Sequence, residues 1–216
     1  MQDLVAIVLA GGKGWRLKPD IWTPKPLLKL NDYTLIDHQI LWLNRHNIHT
    51  VVVVCSDEVS RGITQSCYTV VEHDGRGTGG AVKQGYKRVE SKYYYVMNVD
   101  DIVQYNPREL YIDCTRGASI LVSKPRIRYG VIDIRNNLVI NFKEKPYINQ
   151  YVSAGHYVFK KEIIDQYFPD SGDLELTVLP ILARKRLLTC TKFRGVWITI
   201  NNMKDYIRAR EYFKSK

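Results

Sequence analysis

Long apolar runs are missing from this sequence. The longest uninterrupted one near the N-terminus, Leu4 to Ala10, is far too short to span a bilayer, and no basic segment precedes it. The chain is therefore expected to be soluble and cytoplasmic, without a membrane partner. Cysteine is scarce. Cys55, Cys67, Cys114 and Cys190 are widely spaced, form no Cys-x-x-Cys pair and lie in or beside apolar segments. Reduced thiols in or near a core are expected, not a zinc site or disulfides. Repeats, low-complexity tracts and shifts of composition that would mark a linker are also lacking. Residues 1–216 are accordingly expected to form a single domain, long enough to bury a real core. Acidic residues fall short of basic ones, 22 against 32, leaving a net charge of +10. Such a charge suits nucleic acid, an acidic membrane surface or phosphorylated small molecules. The cations are spread along the chain, with short clusters only at Arg126-Ile127-Arg128 and Arg184-Lys185-Arg186, and no basic-aromatic module of the single-strand-binding kind is present. Phosphorylated small molecules are therefore the expected partners, and nucleic acid is not.

What is present is concentrated near the start. The apolar run ends in Leu9-Ala10-Gly11-Gly12-Lys13-Gly14-Trp15-Arg16-Leu17, and Thr23-Pro24-Lys25-Pro26-Leu27-Leu28 comes soon after. A buried strand that stops in three glycines within four residues lets backbone N–H groups turn inward with no Cβ in the way, and such a loop can cradle an anion. Lys13, Arg16 and Lys25 add the charge needed to hold a triphosphate while negative charge builds on its leaving group. The spacing is neither that of an ATPase-type loop, which needs four residues before Gly-Lys-Ser/Thr, nor the Gly-x-Gly-x-x-Gly of dinucleotide folds.

Further along, residues 36–48 carry apolar side chains at helical spacing behind Thr34, a plausible N-cap. Thr50-Val51-Val52-Val53-Val54-Cys55 is apolar on both faces, as in a central parallel strand. Strand, helix and strand in that order form a βαβ unit with the phosphate loop at its carboxyl end. Residues 68–71 look like a third strand. Glu72-His73-Asp74-Gly75-Arg76-Gly77-Thr78-Gly79-Gly80-Ala81 is a second glycine loop, expected to open a helix over about 81–89. An apolar strand then ends in Asp100-Asp101, which puts acid at the sheet edge where open α/β sheets bind ligands. Magnesium takes hard oxygen ligands, commonly one or two protein carboxylates together with substrate phosphates. Two adjacent carboxylates thus stand where such a ligand would be wanted, and Asp101 reads as a loop carboxylate or helix cap. Asn136-Asn137 separates two alternating strands as a hairpin turn. His156, alone on an apolar strand, reads as a hydrogen-bonded core residue.

Taken together, these segments resemble the sugar-1-phosphate nucleotidyltransferases, the NDP-sugar pyrophosphorylases of glucose-1-phosphate thymidylyltransferase or mannose-1-phosphate guanylyltransferase type. The likeness runs from residue 4 to about 209. It rests on the first glycine loop with Arg16, on Pro24-Lys25-Pro26-Leu27-Leu28, on Gly77-Thr78, Asn98-Val99-Asp100, Tyr129-Gly130-Val131, Phe142-Lys143-Glu144-Lys145-Pro146, and Ser153-Ala154-Gly155. It implies a Rossmann-like, doubly wound α/β fold with a mixed, mainly parallel sheet, helices on both faces and an antiparallel extension. It implies transfer of a nucleoside monophosphate from an NTP to a sugar 1-phosphate, giving an NDP-sugar and pyrophosphate, with Mg²⁺ as cofactor and a homo-oligomer left open.

Carried over residue by residue, the resemblance makes Arg16 and Lys25 catalytic. Leu9, Ala10, Gly11, Gly12, Lys13, Gly14, Gly77 and Thr78 would bind the nucleotide, and Gly130, Glu144, Lys145 and Gly155 the sugar phosphate, with Asp100 on the metal. The expected chain is a short form that lacks the family's C-terminal β-helix. One departure stands out. Where the family has trp-x-asp-x-gly-thr, with a second metal-binding aspartate, this chain has Trp197-Ile198-Thr199-Ile200-Asn201-Asn202. A neutral hydroxyl is a much poorer magnesium ligand. That change motivates one alternative, a catalytically weakened regulatory subunit that binds nucleotide sugars; an NTP transferase acting on a non-sugar phosphate is a second, independent of it.

Overall fold

A computed structural model describes residues 4–12 and 21–214. Strand β1 (Leu4–Ala10) is buried along its whole length, as expected for a strand covered on both faces. A 3-10 turn (Lys25–Leu27) and the small hairpin of β2 (Lys29–Leu30) and β3 (Tyr33–Thr34) lead into helix α1 (Leu35–Arg45). Thr34 does cap that helix: its Oγ1 accepts from the Asp37 N–H at 3.2 Å and donates to Asp37 Oδ2 at 2.8 Å. Next come β4 (Val51–Cys55), α2 (Asp57–Gly62), β5 (Tyr68–Val71), α3 (Gly77–Gly85) and β6 (Tyr93–Asn98). They are followed by β7 (Asp101–Val103), α4 (Pro107–Ile112), β8 (Ala118–Ser123), and the hairpin β9 (Val131–Arg135) with β10 (Leu138–Lys143). The chain finishes with β11 (Val152–Lys160), α5 (Lys161–Tyr167), α6 (Leu174–Thr177), α7 (Leu179–Arg184), β12 (Leu188–Lys192), β13 (Trp197–Thr199) and α8 (Met203–Lys214).

Seven strands pair in the order β12-β8-β11-β6-β1-β4-β5. Every pairing is parallel except the two made by β11, which runs against β6 and β8. The period of two along each strand sorts the core into two layers. Leu4, Ala6 and Val8 pack with Val51, Val53, Met97 and the α1 residues Ile36, Ile40 and Leu43. Val5, Ile7 and Leu9 pack on the other face with Val52, Val54, Val96, Val82 of α3 and Ile164 of α5. This is the expected Rossmann-like architecture, a mixed, mainly parallel sheet sandwiched by helices, and it sends the ends of β1, β4 and β6 to one edge.

The structure differs from the sequence reading at three places. Helix α3 starts at Gly77, four residues before the expected Ala81, because the Gly79 and Gly80 N–H groups both bond to the Gly172 carbonyl and turn the glycine loop into the first helical turn. The hairpin turns through Asn136 and Asn137 at φ 47° and 61°, the left-handed pair that a two-residue turn of this twist requires, yet β9 and β10 form a separate ribbon and do not join the central sheet. Cys55 and Cys114 are buried as expected, but Cys190 is exposed, since it lies on the edge strand β12. Among the described residues no helix is long and apolar enough to cross a membrane.

Candidate active site

At the carboxyl edge of the sheet lies a cavity of about 440 Å³. Its floor is built from the carboxyl ends of three parallel strands: Leu9, Gly11 and Gly12 at the end of β1, Val54 of β4, and Asn98, Val99 and Asp100 at the end of β6. Lys25 and Pro26 close one side, and Glu72, Gly77, Thr78, Asp173 and Glu175 the other. Of the nucleotide-binding residues expected from the sequence, Leu9, Gly11, Gly12, Gly77 and Thr78 line this cavity. Ala10 does not, because its side chain packs into the core on the opposite face. Lys13, Gly14 and Arg16 lie outside the described residues.

The turn bearing the two aspartates is pinned from three sides. The Val99 N–H donates to the Leu9 carbonyl at 3.1 Å, tying the turn to the end of β1. Buried Gln39 of α1 donates its Nε2 to the carbonyls of Val99 at 2.9 Å and Asp101 at 3.2 Å. The Ile200 N–H, beyond β13, donates to the Asp100 carbonyl at 3.1 Å. With its backbone so fixed, Asp100 projects into the cavity, where its Oδ2 accepts from Lys25 Nζ at 2.7 Å. Both candidate residues for phosphate and metal chemistry are thus brought together from distant parts of the chain.

Asp101 is neither a loop carboxylate nor a helix cap. It opens β7, is only 7% exposed, and pairs in register with Thr199. Trp197 Nε1 donates to its Oδ1 at 2.9 Å and Asn98 Nδ2 to its Oδ2 at 3.1 Å. Burial, and then the neighbouring charge of Asp100, push its carboxyl up to about 7. Gly155, with φ +74°, lies against this carboxylate, and a Cβ there would collide with Asp101 Oδ2. His156 Nε2 donates to the Asp101 carbonyl at 3.0 Å, while its Nδ1 accepts from the Tyr95 hydroxyl at 2.6 Å. Burial lowers the His156 imidazole to about 4, so it is the neutral core residue that the sequence suggested.

The second glycine segment is occupied by the protein itself. Gly77 adopts φ +74°, and a Cβ on it would run into the Gly172 backbone at 2.7 Å. The need for glycine here therefore comes from the loop at residues 170–173. Thr78 Oγ1 donates to Glu175 Oε2 at 3.0 Å and accepts from the Leu174 N–H at 2.8 Å, which brings α6 to the cavity. Glu72, Asp173 and Glu175 were not anticipated as lining residues. Glu72 accepts from the Arg76 N–H at 2.8 Å, a local carboxylate-to-backbone bond, and Asp173 and Glu175 flank the first residue of the short helix α6. Gln39 was also missed. A glutamine spaced three residues from Ile36 on the apolar stripe of α1 is the trace it leaves in the sequence.

Beside this cavity lies a second one, of about 870 Å³. Trp197 and Thr199 line it, so the Asp100-Asp101 turn and the end of β13 separate the two. Lys145 lines it as well, alongside Arg126, Arg128, Tyr147, Asn202 and Arg208. Lys145 also pairs with Glu144 at 2.8 Å. Glu144 and Gly130 line neither cavity. Gly130 lies on the exposed ribbon against the Phe142 ring, and Gly155 acts on Asp101 from beneath.

Among the described residues no group of three or more His, Cys, Asp or Glu side chains is arranged to hold a metal ion. The donors nevertheless fit magnesium, which commonly relies on one or two carboxylates plus substrate phosphates. Asp100 offers such a carboxylate to the cavity. Asp101 does not, because both its oxygens are already bonded inside the protein.

The family model described as nucleotidyl transferase matches residues 5–216. Mannose-1-phosphate guanyltransferase of Kluyveromyces lactis is 28% identical over 229 residues, covering 93% of this chain and 62% of its own length. The mannose-1-phosphate guanylyltransferase catalytic subunit beta of Dictyostelium discoideum is 26% identical, covering 94% and 62%. The chain thus spans about three fifths of the length of these curated relatives. Among solved structures, HddC from Yersinia pseudotuberculosis superposes with a TM-score of 0.76 at 23% identity, covering 98% of this chain and 99% of HddC. A Bacillus anthracis protein crystallised with sucrose gives 0.77 at 24%, covering 99% and 96%.

Proposed function

The chain belongs to the nucleotidyl transferase family, and from that membership we propose that residues 1–216 act as one domain that joins an NTP to a sugar 1-phosphate, releasing pyrophosphate. The observation that carries this reading is the Lys25–Asp100 pair, 2.7 Å apart, in the cavity at the carboxyl edge of the sheet, with a second, cation-lined cavity beside it. In the reaction an oxygen of the sugar phosphate attacks the α-phosphorus in line. The new O–P bond forms as the bond to the leaving pyrophosphate breaks, and no covalent enzyme intermediate is needed. The work of the protein is positioning and charge stabilisation.

Gly11 and Gly12, with Lys13, Gly14 and Arg16, are assigned to the nucleotide phosphates. Lys25 is assigned to the α-phosphoryl group and to the incoming sugar phosphate. Asp100 would hold Mg²⁺, which when bound neutralises nucleotide oxygens. The base would lie against Gly77 and Thr78, and Lys145 would face the sugar phosphate from the second cavity. The relatives named above are mannose-1-phosphate guanyltransferases, which supports GTP and mannose 1-phosphate as the first pair to try. The test crosses four or five NTPs with a panel of sugar 1-phosphates in the presence of Mg²⁺ and reads pyrophosphate. Release from at least one pair is expected. Silence across the panel, with NDP-sugar still bound in calorimetry, would replace the enzyme by a nucleotide-sugar-binding protein, the role to which Thr199 points.

A further inference from the structure

The second cavity holds far more positive charge than one sugar phosphate requires. Lys124, Arg126, Arg128, Lys145, Lys204 and Arg208 line it against one lining carboxylate, Asp205. Two of the six cations are paired: Arg128 lies 3.1 Å from Asp205 Oδ2, and Lys145 lies 2.8 Å from Glu144 Oε1. Lys124 donates to the Asn149 side-chain carbonyl at 3.3 Å, and the Arg126 guanidinium stacks 4.7 Å from the Tyr147 ring centre, so the partner of each is neutral. Lys204 and Arg208 have no ion pair with any described residue. They sit four residues apart on α8, hence on one face of the helix, where two like charges repel each other unless an anion lies between or above them.

Helix α8 is held so that this face stays turned to the cavity. The Asp205 N–H donates to Asn202 Oδ1 at 3.1 Å, and Asp205 Oδ2 accepts from the Asn201 N–H at 3.2 Å. Farther along, the Tyr206 hydroxyl donates to the Lys29 carbonyl at 2.9 Å. The cations are therefore presented by a braced element. A concave site walled by one sign of charge concentrates counter-ions of the opposite sign.

We propose that the acceptor of this chain is a sugar 1-phosphate carrying a second anionic group, a carboxylate or a further phosphate, which Lys204 and Arg208 recognise. This rests on the reading of the second cavity as the acceptor site. Lys25 and Lys145 serve the phosphate that reacts. The pair on α8, together with Arg126, is left for a charge at the far end of the sugar. A charged donor to a charged acceptor makes a stronger hydrogen bond than a neutral pair does, so the second group raises affinity for the doubly charged acceptor over the plain hexose.

The experiment compares mannose 1-phosphate, mannose 1,6-bisphosphate and a hexuronic acid 1-phosphate. Each is titrated into the full chain by calorimetry with a non-hydrolysable NTP present, and each is assayed for pyrophosphate release. The doubly anionic sugars should bind about tenfold more tightly or better than the hexose phosphate, and in Lys204→Glu/Arg208→Glu that preference should collapse. Selectivity for the uronic acid alone identifies a carboxylate, and for the bisphosphate alone a phosphate. Equal binding of all three overturns the inference, as does a double variant that keeps the wild-type preference or loses affinity for the NTP instead. Binding answers the question even if no pyrophosphate forms, so a failure of the proposed reaction is told apart from a failure of this assignment.

Discussion

Lys25 Nζ and Asp100 Oδ2, 75 residues apart in the chain, lie 2.7 Å from each other at the cavity wall. The two groups assigned to phosphate and metal neutralise one another there, and phosphate oxygens entering the cavity would compete for both. Lys25→Ala is expected to lower kcat/KM by about two to three orders of magnitude, the usual loss of one preorganised donor. Asp100→Asn should nearly abolish turnover at every Mg²⁺ concentration. Because the pair is partly exposed, neither change should move the unfolding free energy by more than about 1 kcal/mol. Pyrophosphate kinetics alongside thermal melts check both statements, and turnover preserved in both variants would remove the pair from the chemistry.

Asp101 predicts a pH effect of definite sign. A carboxyl raised from 3.8 to about 7 on folding holds a proton that the unfolded chain has already released between those values. Stability should therefore fall as pH rises from about 4 to about 7 and level off above it. Asp101→Asn keeps an acceptor for Trp197 and carries no charge to desolvate. Its melting temperature should vary less over that window and exceed that of the parent at pH 8, with an unchanged Mg²⁺ requirement. A steeper Mg²⁺ dependence in this variant would make Asp101 a metal ligand after all.

Gly155→Ala tests the packing beneath the same carboxylate. At φ +74° and in collision with Asp101 Oδ2, an alanine combines backbone strain with overpacking, a cost of about 2–4 kcal/mol. Denaturant titration should show the loss as a lower midpoint. An unchanged midpoint would mean that the β11 backbone moves aside freely.

Arg16 is assigned on sequence alone. Its replacement by alanine should cost roughly 3–4 kcal/mol of transition-state stabilisation, two to three orders of magnitude in rate. Single-turnover kinetics at saturating NTP are the measurement, and near-normal turnover would rule out the role.

Several features of the fold were written locally. Seven apolar residues ending in glycines read as β1 and its loop, Thr34 before an apolar stripe as a capped helix, and Asn136-Asn137 as a tight turn, because each depends on a few adjacent residues. The placement of Asp100 at a strand end came in the same way. Asp101 shows where such reading stops. Beside Asp100 in sequence it carries the same chemistry, yet Trp197, 96 residues on, and Gly155 enclose it. Gln39 and Glu175 were equally hidden, since their partners Val99 and Thr78 lie 60 and 97 residues away.

By itself the sequence determined β1 with the glycines that end it, the capped helix α1, the buried strand β4 and the tight turn at Asn136-Asn137, since these depend on periodicity, backbone freedom and residue identity. Only the tertiary structure decided which of two adjacent aspartates faces the cavity, that β9 and β10 stand apart from the sheet, and that six scattered cations line one cleft. Such properties arise from long-range packing and desolvation. A side chain's exposure and charge state depend on whatever the rest of the chain folds against it, and no neighbouring residue encodes that.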